Sequence, residues 1–180
     1  VTHATTPTVE QSRESTLAEP FDTKEYRRAM GVFPTGVAII TTRDSSDEPA
    51  GLTCNSFTSV SLEPPLVLWS MRKASKSIEI FRETRSFAIN ILAEDQDHLS
   101  QRFATSSIEN KFENVAWTSG YLDLPLIDHC MARFQCTTFS KHDAGDHIIF
   151  IGKVEHFEVV HESSSLVFYK GGYVKLAANR

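Results

Sequence analysis

The sequence has no Cys-x-x-Cys pair, no Gly-x-Gly-x-x-Gly run and no His-Glu-x-x-His spacing. Each absence removes a class of protein. The three cysteines, Cys54, Cys130 and Cys136, are odd in number and the nearest two stand six positions apart, so neither a disulfide framework nor a structural zinc site is expected. Without the glycine fingerprint there is no dinucleotide-binding βαβ unit, so any nicotinamide cofactor must bind by another route. His142 and His147 lie near Asp143 and Asp146, but their spacing matches no metal motif and no metal site is expected. No apolar run is long enough to span a bilayer, so no membrane is expected. Positive charge is also short: 18 Lys and Arg against 23 Asp and Glu give a formal net charge of −5. That disfavours nucleic acid as a partner, because phosphate binding needs a basic face, but it allows a local basic pocket for one anionic cofactor. Residues 1–20 lack the basic and apolar regions of a signal peptide, and the cytoplasm is the expected compartment.

What is present fits a single domain. The 180 residues are 41% hydrophobic and 23% charged, an ordinary soluble composition with enough chain for one core. Residues 1–20 are rich in Thr, Ser, Pro and Glu and are expected to form a flexible arm, with the domain at residues 21–180. Asp22 and Glu25 form a capping-box pattern, with Phe21 and Tyr26 as a staple, for a helix over residues 23–30. Strands are expected at 37–42, 51–60, 66–71, 86–92, 127–140 and 146–160. Further helices are expected from Ser75 or Ser77 to residue 83 and over 94–104, with a loop at 111–121. Many strands, few helices and no regular alternation predict a closed antiparallel barrel with helices at its ends.

Five stretches carry polar chemistry. Phe33-Pro34-Thr35-Gly36-Val37 is a turn leading into a strand. Residues 51–61 hold five hydroxyls and Asn55 among apolar groups, a set suited to the donor and acceptor edges of a flat heteroaromatic ligand. Arg72-Lys73-Ala74-Ser75-Lys76-Ser77 opens a helix, where free N–H groups and cations suit a phosphate. Gly145-Asp146-His147 begins an apolar strand, with Gly152 beyond it. Tyr169-Lys170-Gly171-Gly172-Tyr173 pairs glycines between rings. Taken singly, each is equally a tight turn, a solvated strand, a plain helix cap, a structural histidine or a terminal turn.

Their order and spacing together resemble the flavin reductase family of short-chain NAD(P)H:flavin oxidoreductases, the reductase components of two-component aromatic monooxygenases. The resemblance runs from about Phe21 to Tyr173, with Phe87-Ala-Ile-Asn-Ile-Leu and Arg102-Phe-Ala with Lys111-Phe112 also in place. It implies a split β-barrel, a six-stranded Greek key with flanking helices, usually a homodimer. It implies FAD or FMN as flavin, NADH as reductant and a separate oxygenase component as partner. It places the flavin ring at Pro34, Thr35, Thr53, Cys54, Asn55 and Ser56, with Ser59 near the redox-active nitrogen. It places the phosphate at Ser75, Lys76 and Ser77, and the ribityl or diphosphate tail at Phe103 and Lys111. Tyr169 and Tyr173 would flank the ring, and His147 would place the nicotinamide and is the catalytic candidate. The expected activity is reduction of free flavin for a monooxygenase acting on a phenol-type aromatic compound. Two alternatives stay open: a split barrel that keeps its flavin and serves another acceptor, and a non-catalytic flavin or haem binder.

Overall fold

A computed structural model describes residues 21–160 and 163–176. The expected arm at residues 1–20 lies outside the described residues. The first helix, α1 (Thr23–Met30), forms where its caps predict. The Asp22 carboxylate accepts from the Lys24 and Glu25 N–H groups, and the Phe21 and Tyr26 rings staple the turn at 5.1 Å. Only half of the capping box closes, since the Glu25 carboxylate pairs with Arg28 instead. None of the α1 residues is buried.

The chain then builds β1 (Thr35–Gly36), β2 (Ala38–Arg43), β3 (Pro49–Cys54), β4 (Thr58–Leu62) and β5 (Pro65–Arg72). After α2 (Ile78–Glu83) come β6 (Ser86–Ile91), α3 (Asp97–Ala104), β7 (Trp117–Ser119) and β8 (Pro125–Ile127). Two 13-residue strands follow, β9 (Ala132–Ala144) and β10 (His147–Val159), then β11 (Val167–Tyr169) and β12 (Gly172–Val174). An antiparallel sheet runs in the order β3-β2-β6-β9-β10-β5-β4. Its first six strands curl until β3 lies against β5 with no backbone ladder between them, and β4 hangs off β5 as a seventh. The expected six-stranded barrel is therefore present, with β4 added as a seventh strand of the sheet. A separate small sheet, β1-β11-β12, lies beside it, and β7, inside the region expected to be a loop, pairs with β8 beyond it.

The expected strand at residues 51–60 breaks after Cys54, and the reason is geometric. β3 pairs with β2 at one end of the sheet while β4 pairs with β5 at the other, so one straight strand cannot serve both. At the break, side chains replace the ladder. The Ser56 hydroxyl donates to the Ser70 carbonyl and accepts from the Ser70 N–H at 2.8 Å, which joins the end of β3 to β5. The same competition moves other boundaries. α2 starts at Ile78 behind Ser77, one of the two expected caps, while α3 starts at Asp97, a few residues later than expected, and the expected strand at 127–140 divides into β8 and β9.

Both faces of β2 are buried, which explains its unbroken β-branched run. Ala38 and Ile40 enter the barrel core with Trp69, Phe81, Phe87 and Phe150. Val37 and Ile39 enter a second core with Leu92, Phe103, Phe112 and Leu166. In the first core Trp69 stacks on Phe150 at 4.4 Å and meets Phe81 and Phe87 edge-on, the offset geometries that aromatic quadrupoles favour. Among the described residues no helix is long and apolar enough to cross a membrane.

Candidate functional site

A cleft of about 890 Å³ lies between β3, the β5–α2 loop and the loop that follows α3. β3 forms one wall because its backbone passes directly over the second core. At Gly51 a Cβ would sit 2.8 Å from the Phe103 ring, so only glycine lets the strand approach this closely. Phe103 itself is buried, edge-on to Phe112 at 5.0 Å, so it shapes the floor more than it offers a face.

On that wall Thr53, Cys54, Asn55 and Ser56 all reach the cleft, but their polar groups are not equally free. Thr53 donates its hydroxyl to the Ser100 carbonyl at 2.6 Å and keeps only its acceptor lone pairs. Ser56 is held by Ser70, as above. The Cys54 sulfur accepts from the Ser56 N–H, and burial pushes its thiol up from the ordinary value, so it is a protonated packing group. Asn55 is exposed on the cleft wall, and no protein hydrogen bond holds its amide among the described residues.

At the opposite end Ser75, Lys76 and Ser77 line the cleft. Ser77 stands at the N-cap of α2, but its hydroxyl makes no capping bond and stays available. Lys111 completes the cationic side. Its ammonium donates to the Phe103 carbonyl at 2.7 Å, and burial pushes it below the ordinary lysine value. The loop bearing it is fastened by Arg102, which donates to the carbonyls of Lys111 at 2.7 Å and Asn110 at 3.0 Å. Arg102 lies within a quoted motif, yet nothing in the sequence marked it as the clamp of this wall.

His147 reaches the same cleft from the β9–β10 hairpin, whose turn is Gly145-Asp146 with Gly145 at φ +59°. It sits opposite Arg72, the last residue of β5, and its Nδ1 lies 2.7 Å from the Asp146 carboxylate. That hydrogen bond, with the imidazole's charge, holds the Asp146 carboxyl below its usual range.

Ten of the residues singled out from the sequence thus line one cleft. Five do not line it. Ser59 is exposed on β4, at the sheet edge. Pro34 is exposed just before β1, and Thr35 on β1 pairs with Phe168. The Thr35 hydroxyl oxygen is buried without a hydrogen-bond partner. Tyr169 and Tyr173 belong to β11 and β12. Tyr173 donates its hydroxyl to Ser100 Oγ at 2.8 Å, on the residue whose carbonyl holds Thr53, so it supports the wall from behind.

Residues 30–177 match the model of the flavin reductase like domain family. The chain is 45% identical over 150 residues to the reductase component of the flavin-dependent trigonelline monooxygenase of Acinetobacter baylyi. That match covers 83% of this chain and 48% of the relative, so the chain spans about half the length of that protein. It is 40% identical to the NADH-dependent FMN reductase of Agrobacterium fabrum, over 84% of each chain. Among solved structures, the NADH:FAD oxidoreductase of Streptomyces globisporus, solved with NAD and FAD fragments, superposes with a TM-score of 0.82. Its sequence is 34% identical, and the overlap covers 88% of this chain and 94% of that one. Barrel and cleft define a protein of the split-barrel type. The chain belongs to the flavin reductase family.

Proposed function

We propose that this chain reduces FAD or FMN with NADH and hands the reduced flavin to a separate oxygenase. The observation that carries the reading is the pairing of free groups in one cleft: the Asn55 amide and the non-capping Ser77 hydroxyl line it together with Lys76 and Lys111. A carboxamide matches the mixed donor and acceptor edge of a flavin ring, and a free hydroxyl with lysines in the same cleft matches its phosphate. Flavin accepts a hydride from NADH and gathers negative charge at its pyrimidine edge. The Asn55 amide N–H donates to such an edge without reorganising, which favours the charged product. Thr53 offers lone pairs to a ring N–H while its own proton stays on Ser100. His147 stands in the same cleft, where a nicotinamide would meet the ring. Among the described residues the cleft's one cysteine, Cys54, is a protonated packing group, which suits a reaction in which the protein orients two substrates.

The partner is an oxygenase acting on an aromatic, phenol-type compound, and the reaction takes place in the cytoplasm. Relatives named as reductase components of monooxygenases support the partner. The active form is a homodimer. β10 runs beside β5 over His147–Lys153, then continues to Val159 with β9 alone beside it. On that half-free strand Phe157 and Val159 are 73% and 75% exposed, with Leu62 at 93% on β4. An unpaired strand bearing exposed apolar groups is a surface that a second copy would cover.

The test is steady-state oxidation of NADH and of NADPH with added FAD, FMN or riboflavin. Turnover with exchange of free flavin supports the reading. A yellow protein that keeps its flavin through dialysis points to a resident group, and flavin binding without NADH oxidation points to a binder. Sedimentation at micromolar concentration checks the dimer.

A further inference from the structure

Lys111 is held at both ends, and both anchors lie on α3. Its ammonium donates to the Phe103 carbonyl at 2.7 Å, in the last turn of the helix, where carbonyls have no helical N–H to accept from. An ammonium carries three N–H groups, so two remain for a ligand in the cleft. The Lys111 carbonyl accepts from Arg102 Nε at 2.7 Å, and the neighbouring Asn110 carbonyl accepts from Arg102 Nη2 at 3.0 Å. A planar guanidinium that bridges two successive carbonyls fixes the path of the chain between them. The Asn110 side chain then turns the loop, its amide oxygen accepting from the Phe112 and Glu113 N–H groups at 3.1 Å each. The Glu113 carboxylate returns to 3.9 Å from the same guanidinium. α3 is a fixed base for this strap, because Thr53 on β3 and Tyr173 on β12 both bond to Ser100. Arg102 itself is not among the residues that line the cleft.

We propose that Arg102 is a positioning residue that fixes the Lys111 ammonium in the cleft and so sets how strongly a phosphorylated flavin is preferred over riboflavin. The proposal rests on the phosphate reading of Lys111 given above. Without the guanidinium fork, the carbonyls of Asn110 and Lys111 turn to water and Lys111 keeps one anchor instead of two. Its ammonium then spends less time where a phosphate can meet it. A lysine in place of Arg102 keeps the charge but cannot bridge two carbonyls. Riboflavin has no phosphate, so it does not register the loss.

A double-mutant cycle with FMN and riboflavin as flavin substrates tests this. Arg102→Ala is expected to raise the KM for FMN about fivefold, the usual range for one net hydrogen bond, with kcat and the KM for riboflavin changed less than about twofold. Lys111→Met is expected to raise the KM for FMN about tenfold. Because Arg102 acts through Lys111, the double variant should match Lys111→Met within about twofold. Losses that multiply, to about fiftyfold, would show that Arg102 acts apart from Lys111 and overturn the proposal. A matching rise in the KM for riboflavin would mean a merely structural role and overturns it too. Arg102→Lys should retain most of the loss; full FMN affinity in that variant would reduce Arg102 to a charge. If Arg102→Ala does not fold, Arg102→Lys takes its place in the cycle. Lys111→Met alone separates the two levels. If it lowers the preference for FMN while Arg102→Ala does not, the positioning role alone falls. If it leaves that preference unchanged, the phosphate reading falls and takes the proposal with it.

Discussion

The two halves of the Thr53–Ser77 region use the same small polar residues in opposite ways. On the β3 side, Thr53 and Ser56 hold hydroxyls already committed to the Ser100 carbonyl and to both backbone groups of Ser70. On the α2 side, Ser77 stands at a helix start and caps nothing. Ser56 keeps a split barrel shut where no ladder crosses it, and Thr53 ties β3 to α3. The Ser77 hydroxyl and the Asn55 amide are left for a ligand. A side chain's polarity therefore does not say whether it serves the fold or the substrate; its existing hydrogen bonds do.

The largest expected effect tests the fold side. Ser56→Ala removes the hydroxyl and leaves the Ser70 N–H and carbonyl without their partner across the split. An unmet, partly buried backbone pair costs about 1–3 kcal/mol, so the urea midpoint should fall with an unchanged m-value. If the midpoint stays put and only the flavin KM moves, Ser56 belongs with the ligand groups. Next in size is Asn55→Ala. It should raise the KM for flavin about tenfold, by loss of a hydrogen-bonding group that sharpens toward the charged product, and leave the urea midpoint in place. A stability loss equal to that of Ser56→Ala would erase the distinction between the two residues.

The barrel was legible because its strands bury apolar residues on both faces or alternate, and α1 because its cap residues stand in order. The break at Asn55 was not, since it follows from which partners β3 and β4 find on opposite ends of the sheet, a relation between residues far apart in sequence. At the site, the local segments 53–56 and 75–77 came together as expected because each is short and lies at an end of one element. The aromatic flank did not join them within one chain. Tyr173 shows why: two glycines between tyrosines announce a tight turn, but the sequence does not say that β12 places the hydroxyl on Ser100. The clamp role of Arg102 was missed for a related reason. It works through a neighbour, by fastening the loop that bears Lys111, and such a role leaves no pattern in composition or spacing.

Two smaller effects refine the cationic end. Ser77→Ala should weaken FMN and FAD about fivefold and leave riboflavin, which has no phosphate, nearly unchanged, as measured by fluorescence quenching. An equal loss with riboflavin would move Ser77 from the phosphate to the ring.

The mildest effect is a pH dependence at Lys111. Burial disfavours its charged form, so its proton leaves at a pH below the ordinary 10.5. A bound phosphate favours the ammonium, so affinity is full while Lys111 is charged and declines as pH rises through that lowered value. Riboflavin carries the same ring and so shares any titration of the flavin itself, but it lacks the phosphate. The ratio of FMN to riboflavin affinity should therefore start to fall before pH 10.5, and Lys111→Met should flatten that fall while lowering the ratio at neutral pH. A ratio that holds constant to pH 10.5 in the parent protein would show that the Lys111 ammonium, bonded to the Phe103 carbonyl, serves the α3 end of the cleft and not the phosphate.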